Sequence, residues 1–228
     1  GGKGANIVFE DADIDNAIHW AVEAIFRNAG QICLAGSRLF VHSSLYESFM
    51  ERFVAAAEAL TIGDPFDPAT KFSSLASKRH FDKVASYVES ARELGGTIRT
   101  GGVAEDGSWV VRPTIIDGLA LDAAPYCEEI FGPVCVVNSF DTEEEVVHLA
   151  NDTRYGLNAM LFTENLSRAH RVASKLRAGT VWVNCFFIRD LRTPFGGVGD
   201  SGVGREGGNF SREFFTEPKA VVMQIDRG

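Results

Sequence analysis

The thirty residues from Asn158 to Phe187, NAMLFTENLSRAHRVASKLRAGTVWVNCFF, hold three patterns in succession. NAMLFT is a short apolar run bounded by polar residues, which predicts a strand. NLSRAHRVASKLRAG has the three-and-four apolar spacing of an amphipathic helix, and its Gly179 is a stop signal. TVWVNCFF is again β-branched and aromatic, the composition of a strand. A strand, a helix and a strand with short connections form a crossover unit, which joins parallel neighbours in a sheet.

The same alternation continues outward. Upstream, VCVVNSF predicts a strand, and DTEEEVVHLAN a helix whose first-turn acids suit the helix dipole. Further back, TIRTGG and WVVRPTII look extended, KRHFDKVASYVESAREL and LYESFMERFVAAAEAL helical, and SRLFVH a strand. Ile14, Ala17, Ile18, Ala21, Val22, Ile25 and Phe26 mark a further helix, opened by Asp residues and closed at Gly30. The fold class that follows is α/β, a mainly parallel sheet with helical crossovers.

Composition narrows the function. The chain has 228 residues, 45% of them hydrophobic and 23% charged, enough to bury a substantial core. Its 22 basic and 31 acidic residues give a net charge of −9, which repels nucleic acid and anionic lipid. No window has the apolar length to cross a bilayer, and GGKGANIVFEDAD lacks the features of a secretion signal, so a cytoplasmic location is expected. The absence of an initiator Met before Gly1 suggests a piece of something longer. Cys33, Cys127, Cys135 and Cys185 show no disulfide or zinc spacing, and the five histidines form no ligand pair, so no metal is expected.

Three stretches carry possible chemistry. In FRNAGQICLAGSR, Phe26 to Arg38, Cys33 sits between a glycine-containing turn and a strand. It is either a small buried hydrophobe or a thiol held on a turn as a nucleophile. In CEEIFGPV, Glu128 and Glu129 precede an apolar ring and a rigid turn; they are either a solvated helix end or a carboxylate placed to grip ribose hydroxyls beside a flat heterocycle. PFGGVGDSGVGREGG, Pro194 to Gly208, contains the GxGxxG spacing twice, at Gly197, Gly199, Gly202 and at Gly202, Gly204, Gly207. RDLRTP intervenes where a dinucleotide fingerprint needs a strand, so a tight loop beside a site is the simpler reading.

Taken in order, GGKGANIVFEDADID, FRNAGQICLAGSR, IGDPFDPAT, EEIFGPV, YGLNAMLFT, VWVN and PFGGVGDSGVGREGG resemble the aldehyde dehydrogenase superfamily, from Gly1 nearly to the C-terminus. The resemblance implies that Cys33 attacks an aldehyde carbon, that NAD or NADP takes the hydride, and that water hydrolyses the resulting thioester. It implies that Glu129 holds the nicotinamide ribose, that Phe131 places the ring, and that Lys83 and His80 lie by the adenosine-side ribose. Phe195 would line the aldehyde tunnel, and the backbone amide of Cys33 would face the oxyanion.

By the same comparison residues 1–218 form the catalytic domain, while KAVVMQI reads as an exposed strand seeking a partner, so residues 219–228 are expected to be an oligomerisation strand and the full-length protein a dimer or tetramer. The cofactor-binding domain, the general-base Glu and the side-chain amide of the oxyanion hole would lie upstream of Gly1, so this chain alone is expected to have little or no activity. Two positions depart from the family pattern: Gly199 stands where many relatives carry Lys, and Arg27 replaces a common aromatic. NCFFIRDLRTPFGG resembles the branch that oxidises muconic semialdehydes, where Arg189 or Arg192 would pair with a substrate carboxylate; two solvated loop arginines are the alternative. The rival functions are a cysteine hydrolase, which needs a histidine turned towards Cys33, and a non-catalytic scaffold, which would leave that thiol unreactive.

Overall fold

The computed structural model describes residues 1–104 and 107–226. In chain order its elements are β1 (Ala5–Val8), α1 (Ile14–Phe26), β2 (Arg38–His42), α2 (Tyr46–Glu58), α3 (Lys78–Glu93), β3 (Thr97–Val103), β4 (Val111–Asp117), α4 (Ala124–Cys127), β5 (Val134–Phe140), α5 (Glu143–Asn151), β6 (Asn158–Phe162), α6 (Leu166–Lys175), β7 (Thr180–Val183) and α7 (Gly208–Phe215). The strands form one seven-stranded sheet in the order β3-β4-β5-β2-β1-β6-β7. Every neighbouring pair is parallel except β3 with β4.

Local sequence explains where the helices begin. Asp13, Ser77, Thr142 and Asn165 each accept a hydrogen bond from a backbone N–H in the first turn of α1, α3, α5 and α6. Glu143, Glu144 and Glu145 add negative charge at the amino end of α5. β1 and β6 are buried at every position, as central parallel strands covered on both faces must be. β3 is mostly exposed and pairs antiparallel at the sheet edge.

Register places one end of the sheet in line. Ala5 lies opposite Arg38 and Ala159, and Asn158 lies opposite Thr180. The amino ends of β1, β2, β6 and β7 therefore share an edge. At the other terminus of the chain, residues 216–226 carry no helix or strand, and Val221, Val222, Met223 and Ile225 are exposed. Of the oligomerisation strand expected over residues 219–228, residues 227 and 228 lie outside the described residues.

Two cations are buried beneath that edge. Arg38 donates from Nε to the Lys3 carbonyl (3.1 Å), from Nη1 to Leu149 (3.0 Å) and from Nη2 to Ala150 (2.8 Å). The last two are terminal carbonyls of α5, where the helix dipole favours a cation. Lys3 donates from Nζ to the Pro125 carbonyl at 2.8 Å. Its burial, reinforced by the Arg38 guanidinium, pulls its pKa down to about 7. An unfolded lysine titrates near 10.4, so above pH 7 the unfolded chain binds a proton that the native chain has released, and stability rises with pH. The buried Cys135 thiol, pushed up to about 12 mainly by burial, works in the opposite sense above about pH 8.5, which sets the upper limit of a clean window. Urea unfolding is expected to show Lys3 contributing up to about 2 kcal/mol more stability at pH 8.5 than at pH 6.5. Lys3→Met should remove that increment, and an unchanged slope in the variant would refute the assignment.

Candidate active site

The chain leaves α1 through three consecutive left-handed residues, Asn28 (φ 53°), Ala29 (φ 54°) and Gly30 (φ 67°). Asparagine and glycine tolerate this conformation, whereas alanine is strained in it. Side chains hold the turn in place. Asn28 Nδ2 donates to the Gln31 carbonyl (3.1 Å), Gln31 Nε2 donates back to the Asn28 carbonyl (3.3 Å), and Gln31 Oε1 accepts from the Ala76 N–H (3.0 Å). A further turn, closed by the Ala35 N–H on the Ile32 carbonyl at 3.1 Å, presents Cys33 with its side chain exposed. Leu34 beside it is buried.

The reversal brings Gly30 against a second loop. A Cβ at Gly30 would fall 2.2 Å from the Gly132 carbonyl oxygen, so the two backbones touch directly. From α3, His80 Nε2 donates to the Phe131 carbonyl of that second loop (2.6 Å) and Lys83 Nζ to its Glu129 carbonyl (3.1 Å). Phe131 is left-handed (φ 61°), with its ring partly exposed and edge-on to His80. Tyr87 donates to Glu128 Oε2 at 2.5 Å; burial first, then that carboxylate, push its hydroxyl up to about 12.

A third segment, leading into β1, closes the group. The Gly2 N–H donates to Glu129 Oε1 at 2.9 Å, and a Cβ at Gly2 would fall 2.7 Å from the Cys33 carbonyl oxygen. Gly2 thus touches the backbone of Cys33 and the carboxylate of Glu129 at once. Glu129 and Phe131 together offer a hydrogen-bond acceptor and an apolar plate on one loop, a pair that fits a ribose and its heterocycle. His80 and Lys83 each hold one of that loop's carbonyls, and each keeps further hydrogen-bonding capacity, His80 at Nδ1 and Lys83 in its other N–H groups.

A cleft of about 340 Å³ opens next to the thiol turn, lined among others by Leu34, Thr180, Trp182, Phe187, Arg189 and Phe195. The Arg189 guanidinium lies 5.0 Å over the Phe195 ring and 3.8 Å from Glu206. Arg192 does not line the cleft; it is exposed and folded onto Asp190, with Nε 2.9 Å from Oδ1. The glycine run beyond Phe195 forms a loop that opens α7, and no strand leads into it.

Two side chains that no sequence motif singles out, Ser201 and Asn158, tie these segments together. Ser201 Oγ donates to the Gly1 carbonyl (2.7 Å) and accepts from the Gly156 N–H (3.0 Å). Asn158 Nδ2 donates to the Leu34 carbonyl at 3.0 Å. Among the described residues no histidine is hydrogen-bonded to Cys33, and no three His, Cys, Asp or Glu side chains gather as a metal site. No helix there is long and apolar enough to cross a membrane.

The model of the aldehyde dehydrogenase family matches residues 1–221. The chain is 50% identical over 232 aligned residues to the 2-hydroxymuconic semialdehyde dehydrogenase of Pseudomonas sp. (strain CF600), covering 99% of this chain and 48% of that protein. It is 45% identical over 234 aligned residues to a 2-aminomuconic 6-semialdehyde dehydrogenase of Pseudomonas sp., covering 100% and 48%. The crystal structure of betaine aldehyde dehydrogenase from Staphylococcus aureus in complex with NAD+ superposes with a TM-score of 0.92 at 37% identity, over 94% of this chain and 44% of that one. The chain spans about half the length of the relatives it matches.

The contact at Gly30 can be tested by filling it. Gly30→Ala is expected to cost about 2–4 kcal/mol in urea unfolding, from left-handed strain plus the clash with Gly132. Gly95 is also left-handed (φ 85°) but has open space around it, so Gly95→Ala should cost only about 1 kcal/mol. Equal losses at the two sites would show that the loops are not locked together.

Proposed function

The chain belongs to the aldehyde dehydrogenase family, and on that premise we propose that it carries the nucleophile for oxidising an aldehyde to a carboxylic acid. One observation supports this above the others: Gly2 joins the backbone of an exposed cysteine to the carboxylate of Glu129. Cys33 Sγ, as thiolate, adds to the aldehyde carbon, and the carbonyl π pair moves onto oxygen to give a thiohemiacetal oxyanion. The Cys33 backbone N–H faces that charge. Bound NAD or NADP supplies the acceptor for the hydride that leaves the carbon. Loss of the hydride restores the C=O as a thioester on Cys33. Water adds to the thioester carbon, the C–S bond breaks, and the acid leaves with the thiol restored.

The remaining residues take supporting parts. Glu129 holds the nicotinamide ribose and Phe131 places the ring, on a loop that His80 and Lys83 fix by its carbonyls. Lys83 also reaches the adenosine-side ribose with an N–H beyond that bond. The aldehyde lies along Phe195. The names of the two Pseudomonas relatives point to a semialdehyde bearing a carboxylate, and Arg189 is the arginine whose position in the cleft suits it. The general base and the cofactor-binding domain come from an upstream half, and the exposed apolar run at residues 221–225 pairs with a second copy of the chain.

Joined to the upstream half of the strain CF600 relative, the chain is expected to form NADH or NADPH from a muconic semialdehyde, and alone to form little or none. Cys33→Ala in the joined protein should lower kcat by roughly 10³-fold or more. Full activity in that variant would remove Cys33 as nucleophile. Arg189→Glu should raise KM for the acidic semialdehyde by about tenfold or more, with little effect on a neutral aldehyde. An equal effect on both aldehydes would remove the carboxylate-binding role.

A further inference from the structure

We propose that Asn158 is a positioning residue for the thiol turn, aligning Cys33 and Leu34 with the cleft through a single side-chain hydrogen bond; this rests on the reading of Cys33 as nucleophile. Asn158 is the first residue of β6, and the residues after it, Ala159, Met160, Leu161 and Phe162, are apolar and buried. A polar amide in such a strand is costly to bury unless it is paired. Asn158 is 4% exposed, and its Oδ1 is buried with no hydrogen-bond partner among the described residues. What the residue contributes is the other half of its amide, Nδ2, which donates to the Leu34 carbonyl at 3.0 Å.

The geometry confines that amide. A Cβ at Gly4, at the entry to β1, would lie 3.0 Å from Asn158 Nδ2 and 2.8 Å from the Ala35 carbonyl oxygen. The amide is thus wedged between the segment leading into β1 and the turn that carries Cys33. A flip would set Oδ1 against the Leu34 carbonyl oxygen, so the orientation is fixed by acceptor meeting donor. Holding that carbonyl fixes the peptide plane after Leu34, whose side chain lines the cleft with Phe195 and Arg189. Asn158 therefore sets the direction in which the turn faces the cleft, without touching substrate.

The test compares two alkylating probes on the chain as it stands, read residue by residue by peptide mass spectrometry. Iodoacetamide reports exposure of a thiol, and N-benzyl iodoacetamide reports how well that thiol is aligned with an apolar cleft. In the native chain the benzyl probe is expected to be favoured at Cys33 relative to the exposed Cys127. Asn158→Leu should lower the benzyl preference at Cys33 by about fivefold, the equivalent of one buried hydrogen bond of about 1 kcal/mol, and leave Cys127 unchanged. Asn158→Asp, which matches the native side chain in size, should keep the preference while its carboxyl is protonated and donates, and lose it as the carboxyl ionises with rising pH. A purely structural role would lower thermal stability without moving the preference. An unchanged preference in both variants, or equal changes at Cys33 and Cys127, would overturn the proposal. A native chain with no benzyl preference at Cys33 would instead sink the reading of the cleft as the aldehyde site.

Discussion

The candidate site depends on one contact of backbone with backbone, Gly30 against Gly132. Cys33 and Glu129 are far apart in sequence, yet each lies five positions before a strand, β2 and β5 respectively, and those strands are neighbours. Side-by-side strands would bring the two loops near each other in any case. The glycine contact removes the layer of side chains between them, so that Gly2, entering β1 alongside, reaches both. In open α/β sheets ligands gather beyond the carboxyl ends of the strands. Here the loops assemble at the opposite, amino ends of β5, β2 and β1.

Strain is concentrated in the same place. Of the five left-handed non-glycine residues among those described, Asn28 and Ala29 precede the thiol, Phe131 follows Glu129, and Phe187 lines the cleft; Asn184 alone lies elsewhere. The asparagines tolerate this conformation, whereas Ala29 and the two phenylalanines each cost on the order of 1–3 kcal/mol and persist only when their surroundings over-determine them. The surroundings do so here. The Asn28 and Gln31 amides brace one turn, and His80 holds the Phe131 carbonyl. On the proposed reading the Cys33 thiol must be held closely to react, and a loop lacks the stiffness that a helix or strand would provide.

Much of the scaffold was legible because it is periodic. The apolar spacing from Ile14 to Phe26 and the acids before Val146 mark helices whose buried faces match the pattern. The helix from Gly208 to Phe215 was not read, since it begins with glycine and buries none of its residues, leaving no apolar stripe matched to a core. The antiparallel pairing of β3 also leaves no local mark. Whether Cys33 was core or surface hung on a reversal through Ala29, a residue that announces no turn. Asn158 offered a faint signal, a polar side chain opening an apolar strand, but its partner Leu34 is 124 positions away. Such pairings follow from topology, and local pattern does not contain them.

The two loop arginines look equivalent in sequence and are not equivalent in space, because what each guanidinium already holds decides what it can still bind. Asp190 engages Arg192 through Nε and Nη2, and the forked geometry that would recognise a carboxylate is taken by one in the same loop. Among the described residues Arg189 has a carboxylate, that of Glu206, at 3.8 Å, beyond hydrogen-bond distance and more than half exposed, so water competes with that attraction. Arg189 also rests on the Phe195 ring, which screens one face of the guanidinium and leaves its edge N–H groups for a ligand. On the proposed reading, a substrate carboxylate entering the cleft displaces only a weak, solvent-screened partner at Arg189, whereas at Arg192 it would have to break a bidentate pair. Selectivity for an acidic aldehyde then turns on this difference in prior occupation more than on the number of positive charges near the cleft.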